Sequence, residues 1–410
     1  MADFGAAELD AFRAEAAGWL AVNYPPELRD RTGRTDPEAI WGGRACAGSD
    51  DPQIVWMRRM ADKGWTAPTW PRAYGGGGLS AAEARVLQEE LAAGHYRQPL
   101  ASFGLWMLGP VLLEYASEAQ KETHLPAIVR GEIRWCQGYS EPGAGSDLAA
   151  LSTRCEDKGD HWLINGQKIW TSYANRADWC FCLVRTDTAK KHEGVSFVLI
   201  DMATPGVETR PIQLISGESP FCETFFTDVK IPKENLVGRV NGGWEIAKRL
   251  LQYERQNISA GFGEGGSAGG AAGDLGEIAR RYQGEVGGRL ADTDLRGRIT
   301  RNKMDFQALR QTIARSAVES RAGNGPSAAT SIIKYAAAEF AKARSELMIE
   351  AMGHQGLGWA GDGYEPAELL AVRGWLRTKA NSIEGGTSEV NLNVVAKRVL
   401  GLPDPKPAKG

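Results

Sequence analysis

No stretch of the chain approaches the roughly 20 consecutive apolar residues that a membrane-spanning helix requires, so a membrane span is not expected. Metal-ligand spacing is missing as well. The 5 histidines are isolated, and the 6 cysteines (Cys46, Cys136, Cys155, Cys180, Cys182, Cys222) contain no CxxC pair, which argues against a zinc site. Excess charge of either sign is also missing: 48 basic against 51 acidic residues leave a net −3. With no basic patch, nucleic acid is not an expected partner. The opening Met-Ala-Asp-Phe brings acidic residues early and does not read as a signal peptide, so a reducing, cytoplasmic location is expected. Four glycines, Gly75 to Gly78, resemble a nucleotide loop, but no Lys-Ser/Thr follows them. A plain turn before a helix capped by Ser80 is the better reading.

What is present is length enough for two or three domains: 410 residues, 42% hydrophobic and 24% charged. Residues 1–133 read as an N-terminal α-helical domain. Leu9, Phe12, Ala16, Trp19 and Leu20 recur at helical spacing until Pro25-Pro26. Further helices are expected around Trp56 to Met60, Val86 to Leu91, Leu105 to Tyr115 and from Glu118. The segment 64–71 is expected to be irregular. Residues 134–240 change to period two and predict a middle β domain. Strands are expected at Ile133–Cys136, before an Asn165-Gly166 turn, at 178–185, 195–200 and 225–231, with a charged hairpin tip at 189–193. Cys180 and Cys182 should face one side of the sheet as small apolar residues. Residues 241–410 predict a C-terminal helical bundle, strongest in the stripe Ile333, Ala336, Phe340, Ala343, Leu347 and Ala351. The Gly/Ala/Ser-rich segment 263–273 reads as a linker or a loosely ordered helix end, and the tail Pro405-Lys-Pro407 as mobile. The fold class is thus mainly α with an inserted β domain.

One stretch organises the chain: Gln137-Gly-Tyr139-Ser140-Glu141-Pro142-Gly143-Ala144-Gly145-Ser146-Asp147. Proline and closely spaced glycines make a loop whose backbone N–H groups a ligand can approach. Alone, such a loop is more often a turn. Asn165-Gly-Gln-Lys168-Ile169-Trp170-Thr171-Ser172 and Glu384-Gly-Gly-Thr387-Ser-Glu389 change the odds. In this order and spacing the three motifs resemble the acyl-CoA dehydrogenase family, over nearly the whole chain from Gly64 to Pro403.

The resemblance implies an N-terminal helical domain, a β-barrel-like middle domain and a C-terminal bundle. It implies FAD as cofactor, an acyl-CoA thioester as substrate and a trans-2-enoyl-CoA as product, a β-oxidation type of chemistry in lipid metabolism. An electron-transfer flavoprotein is the implied acceptor, and a homo-oligomer, dimer or tetramer, the implied assembly. By the same resemblance Gln137, Tyr139, Ser140, Trp170 and Ser172 lie along the isoalloxazine, with Ser172 hydrogen-bonded near N5. Ser146 meets phosphate or pantetheine oxygens, and Thr387 and Glu389 approach the adenosine half. A core aromatic is the competing reading of Trp170, and plain helix capping that of Thr387 and Glu389. Two departures from the family pattern stand out: Glu350 replaces a Gln, and Arg280-Arg281-Tyr282-Gln283-Gly284 replaces an Arg-x-x-Phe-Gly segment. Both fall where a neighbouring subunit's FAD would be reached, so a half-site or non-catalytic subunit of a heteromer is an alternative. An acyl-CoA oxidase is another. Phe103 and Trp106 are candidates for setting the acyl pocket.

The catalytic carboxylate is a choice between two places. Many family members carry it immediately before Gly-Thr in the C-terminal loop, where this chain has Gly385, with Glu384 displaced by one residue. Others carry it on the first helix after the β domain, directly before an Arg. Here Trp244, Ala247, Leu251, Glu254 and Ile258 fall at steps of three and four, which puts Glu254 on an apolar stripe. Burial there is expected to raise its pKa towards neutrality. Arg255 points about 100° away around the helix and is a poor direct partner. Glu254 is therefore the expected base, Gly385 N–H the donor to the thioester carbonyl, and Arg255 a substrate contact.

Overall fold

The computed structural model describes residues 6–29, 38–261, 274–319 and 329–403. The Gly/Ala/Ser-rich segment and the proline tail singled out above lie outside these residues. The chain divides into two units: Met1–Ile212 with Pro220–Tyr253, and Gln213–Ser219 with Glu254–Gly410.

In the first unit, α1 (Ala6–Asn23) ends just before the paired prolines. α2 (Pro52–Asp62) starts with proline in its first turn, and Asp51 accepts from the Gln53 N–H at 2.8 Å. α3 (Ala81–Ala93) starts at the expected Ser80, which forms a reciprocal capping box with Glu83. Ala16, Leu20, Trp56, Met60, Leu87 and Leu91 from these three helices share one core. The helix expected at Leu105–Tyr115 is α4 (Gly109–Tyr115) preceded by a π-helical turn, Gly104–Leu108. α5 (Glu118–Val129) follows, capped by Ser117.

Eight strands make one sheet: β1 (Trp135–Gly138), β2 (Arg154–Asp157), β3 (His161–Ser172), β4 (Trp179–Arg185), β5 (Val195–Asp201), β6 (Val207–Ile212), β7 (Phe221–Pro232) and β8 (Leu236–Val237). Their order is β6-β7-β3-β2-β4-β5-β8, with β1 parallel to β4. β4 and β5 are buried on both faces. Phe181, Leu183, Phe197 and Leu199 pack with Leu108, Val111, Leu112 and Ile128. Cys180 and Cys182 point together to the opposite face, with Val198, Ile200, Ile164 and Phe226. The period-two pattern is thus read out as two cores, one on each face.

Two local expectations are corrected by long-range pairing. β1 starts two residues later than Ile133 and takes in Gln137 and Gly138, because Phe181 and Cys182 on β4 offer them a parallel ladder. Asn165-Gly166 makes no hairpin turn. β3 runs straight through it, held between β2 and β7. Gly166 (φ 155°) absorbs a bulge that a side chain would resist, and the Asn165 amide exchanges hydrogen bonds with Asp228. β2, β6 and β8 are not among the expected strands; β6, with Glu208, Arg210 and Pro211 in its six residues, is a strand by pairing with β7.

α6 (Gly243–Gly261) leaves the sheet and leads into the second unit. There α7 (Leu275–Gln283), a small unanticipated hairpin of β9 (Glu285–Val286) and β10 (Arg289–Leu290), α8 (Thr293–Glu319), α9 (Ala329–Met352), α10 (Pro366–Thr378) and α11 (Ser388–Val394) follow. Ile333, Phe340, Leu347 and Ala351 of the α9 stripe are all buried, the first two beside Leu309 of α8 and the last two beside Leu275 of α7. Among the described residues no helix is long and apolar enough to cross a membrane.

Candidate active site

The loop after β1 closes on itself: Glu141 N–H donates to Ala144 O and Ala144 N–H to Glu141 O, at 2.9 and 3.0 Å. The Glu141 side chain turns inward and is buried. It accepts from Ser152 N–H (2.6 Å), Ser152 Oγ (2.8 Å), Thr153 N–H (2.9 Å) and Lys168 Nζ (2.7 Å). Lys168 is fully buried and also donates to Tyr139 O at 3.2 Å. Burial alone would push the Glu141 carboxyl up, but the Lys168 ammonium and these hydrogen bonds outweigh it and hold the carboxyl at about 2. A buried ion pair this well satisfied is a structural clamp. It leaves the half-buried Ser140 and the exposed Ser146 at the loop's surface.

The second motif is brought alongside: Ile169 N–H donates to Ser140 O at 2.9 Å. Pairing of β3 with β7 shifts between Lys168 and Thr171, and Trp170 sits in that bulge at φ 61°. A left-handed backbone is costly for a bulky residue, so something other than local preference holds it. Its indole is 52% exposed, which removes the core-aromatic reading. The Thr171 hydroxyl is buried with no hydrogen-bond partner among the described residues. An exposed indole held out on a bulge, with the half-buried Ser140 and Ser172 on the two paired segments and an orphaned buried Thr171 hydroxyl next to it in sequence, is a residue set that fits a flat heteroaromatic ring system such as a flavin. Tyr139 departs from the expectation. Its ring is buried in the core edge-on to Phe181, so only its backbone is left for the loop surface.

Residues not anticipated pin the far end of this segment. Tyr173 is also left-handed (φ 52°). The Arg134 guanidinium lies 5.2 Å from its ring and 5.3 Å from that of Trp41, and bonds Glu38 at 2.8 Å. Trp41 in turn meets Phe103 at 5.6 Å, and Phe103 stacks on Trp106 at 5.7 Å. Nothing local marks Arg134 or Trp41, because their partners lie far along the chain.

In the second unit, Gly385 and Gly386 are left-handed (φ 64° and 89°). Thr387 caps α11 by accepting from Val390 N–H at 3.2 Å, as the capping pattern predicts, and Glu389 lies exposed in the first turn. Asn391 Nδ2 donates to Gly386 O and Thr387 O, both at 3.0 Å. Glu384 is exposed and paired with Arg377 at 2.7 Å. The two departures noted in the sequence are used internally. Glu350 takes Arg298 through two bonds of 2.6 Å. Arg281 bonds Glu365 and Tyr282 Oη bonds Glu368, both at 2.6 Å.

On α6, Ile246, Ala247 and Leu250 are buried, with Trp244, Leu251 and Tyr253 packed beside them. Glu254 follows this stripe, is half-buried, and belongs to α6's last described side chains; that of Arg255 lies outside them. No cluster of side chains suited to a metal ion occurs among the described residues.

Comparison with known proteins gives three family matches along the chain. Family models described as acyl-CoA dehydrogenase N-terminal, middle and C-terminal domains match residues 7–132, 136–229 and 241–400. Acyl-CoA dehydrogenase IpdE1 of Mycobacterium tuberculosis is 35% identical over 404 residues, 98% of this chain and 100% of the relative. Acyl-CoA dehydrogenase FadE34 of the same organism is 39% identical over 84% of this chain, which spans only 45% of that longer relative. A solved structure named "Tcur3481-Tcur3483 steroid ACAD G363A variant" is 29% identical, covers 97% of this chain and 100% of its own, and superposes with a TM-score of 0.75.

Proposed function

Because the chain belongs to the acyl-CoA dehydrogenase family, FAD-dependent oxidoreductases that act on CH–CH groups, we propose that it converts an acyl-CoA thioester to the trans-2-enoyl-CoA. The observation that carries this reading is Trp170, exposed and left-handed on a bulge beside the Ser140 loop. FAD, when bound, supplies the acceptor for the β-hydride at its N5. The protein's own residues do the rest. The Glu254 carboxylate takes the α-proton, and its place at the end of an apolar stripe supports that role. Gly385 N–H polarises the thioester carbonyl, which acidifies that proton. Trp170 packs on the ring system, with Gln137, the Tyr139 backbone, Ser140 and Ser172 along it. Thr387 and Glu389 approach the adenosine half, and Ser146 and Arg255 hold the CoA.

The aromatic row Tyr173, Trp41, Phe103, Trp106 supports a flat, bulky acyl group, in keeping with the word steroid in the name of the solved relative. An electron-transfer flavoprotein takes the electrons onward, and the enzyme works as a homo-oligomer. A second reading, a half-site subunit completed by a different chain, is favoured by one observation. Glu350 and Arg281 are engaged within their own unit, where the family uses these positions to reach a neighbour's FAD.

Anaerobic titration of the FAD-loaded protein with butanoyl-, octanoyl- and cholyl-CoA tests the proposal. Bleaching by at least one is expected; bleaching by none favours the half-site reading. Glu254→Gln should keep FAD and thioester binding but slow reduction about 10²–10⁴-fold, whereas Glu384→Gln should stay active. The reverse pattern would move the base to the C-terminal loop. Reoxidation of the bleached flavin in air separates oxidase from dehydrogenase.

A further inference from the structure

We infer that Glu114, Arg249 and Tyr253 form a positioning clamp that sets the rotation of α6 and, through it, the aim of the base; this rests on the assignment of Glu254. Two side chains of α6 converge on one carboxylate, that of Glu114 at the end of α4. Arg249 Nε donates to both Glu114 oxygens (3.0 and 2.9 Å) and its Nη2 to Oε1 at 2.7 Å. Tyr253 Oη donates to the same oxygen. The guanidinium also lies 4.7 Å from the Tyr253 ring and bonds Gln252 Oε1 at 3.1 Å. The Arg249 hydrogen bonds outweigh burial and hold the Glu114 carboxyl below its usual range. Burial and the Glu114 hydrogen bond push the Tyr253 phenol up to about 12, so it remains a donor.

The clamp adds something the rest of α6 does not supply. The helix begins with Gly243 pressed on β5, where an added Cβ would stand 2.4 Å from the Ser196 carbonyl carbon. Ile246, Ala247 and Leu250 then lay it on the core. Apolar contacts of this kind are non-directional and tolerate small rotations. A bidentate guanidinium–carboxylate pair has fixed geometry and tolerates little. Its members are about one-third exposed (36% and 34%), where an ion pair adds little stability. Arg249 and Tyr253 stand five residues and one residue before Glu254 on the same helix. A carboxylate aimed about 1 Å off its target can cost around 10²-fold in rate. The same contact joins α6 to α4, which continues the π-helical turn carrying Trp106. The clamp therefore ties α6 to the element that follows Trp106.

The test is a double-mutant cycle on the FAD-loaded protein, read as the rate constant of anaerobic flavin reduction by whichever of butanoyl-, octanoyl- and cholyl-CoA bleaches the unaltered enzyme. Arg249→Met should lower that rate constant roughly 10- to 100-fold, with FAD content, thermal midpoint and thioester affinity nearly unchanged. Arg249→Lys, which keeps the charge but not the fork, should recover only part of the loss. In the Glu254→Gln background Arg249→Met should add no further loss, since the group it aims is gone. Additive losses, or unaltered reduction in Arg249→Met while Glu254→Gln is inactive, overturn the clamp alone. Full reduction in Glu254→Gln, or bleaching by none of butanoyl-, octanoyl- and cholyl-CoA, overturns the underlying reading and the clamp with it.

Discussion

The two glycine-rich motif loops, 140–147 and 384–389, are built from similar residues and held in opposite ways. In the first, the glutamate points inward. Glu141 is buried, takes four hydrogen bonds and is anchored to a lysine with no solvent exposure. In the second, the glutamate points outward. Glu384 pairs with Arg377 at the surface, and the loop is secured only towards its C-terminal end by the Thr387 cap and the Asn391 amide. The first is a cradle whose shape is set from behind; the second is a span whose two left-handed glycines are set from one side. Two loops of similar composition therefore differ in how firmly they are held, and their buried partners decide it.

That contrast is tested most directly at its charged anchors. Lys168→Met leaves Glu141 buried without its cation and should cost about 3–5 kcal/mol in urea unfolding. Arg377→Gln removes the corresponding surface partner and should cost less than about 1 kcal/mol. Similar losses for the two would erase the distinction.

Acid should attack the first cradle before the second span. Behind β1, His124 is buried edge-on to Trp135 and Trp179, and burial lowers its pKa from 6.5 to about 4. Between those two values the unfolded chain binds a proton that the folded chain refuses. Stability is therefore complete above about pH 6.5 and should fall by up to about 3 kcal/mol as the pH drops to 4. Glu141 adds a lower window, from 4.5 down to its folded value of about 2. His124→Phe should flatten the stability curve between pH 6.5 and 4 and leave the Glu141 window in place. A slope unchanged by that substitution would remove His124 as its source.

Smaller effects refine the contrast. Trp170→Gly releases a left-handed tryptophan, so the FAD-free protein should gain about 1 kcal/mol in urea unfolding while FAD titration shows weaker binding. A loss of stability would mean that the edge-on contact of the indole with Phe221 outweighs the backbone strain. Thr387→Ala should cost about 0.5–1 kcal/mol, with Thr387→Ser retaining most of it; no change in a thermal melt would show that Asn391 suffices to start α11.

Whatever is decided within a few residues could be read from the amino-acid order alone. Proline stops, capping pairs and apolar spacing placed α1 to α5, the Ser80 and Thr387 caps and the two-faced strands β4 and β5, because helix turns and strand pleats are short-range geometries. Three motifs in order were enough to identify the family, since their spacing carries information that no single loop does. What depends on partners far along the chain was settled in the folded molecule. β1 was extended by a parallel neighbour 44 residues on, as in the Trp135–Trp179 pair. β3 ran through an Asn-Gly signal because two flanking strands supplied more hydrogen bonds than a turn could. Tyr139 was drawn into the core and Trp170 pushed out of it by a bulge. The Glu141–Lys168 pair, 27 residues apart, and the Glu114–Arg249 clamp, 135 apart, have no local signature at all. Charges and rings meet there because the sheet and helices bring them together, and that is the level at which this chain sets the shape of its site.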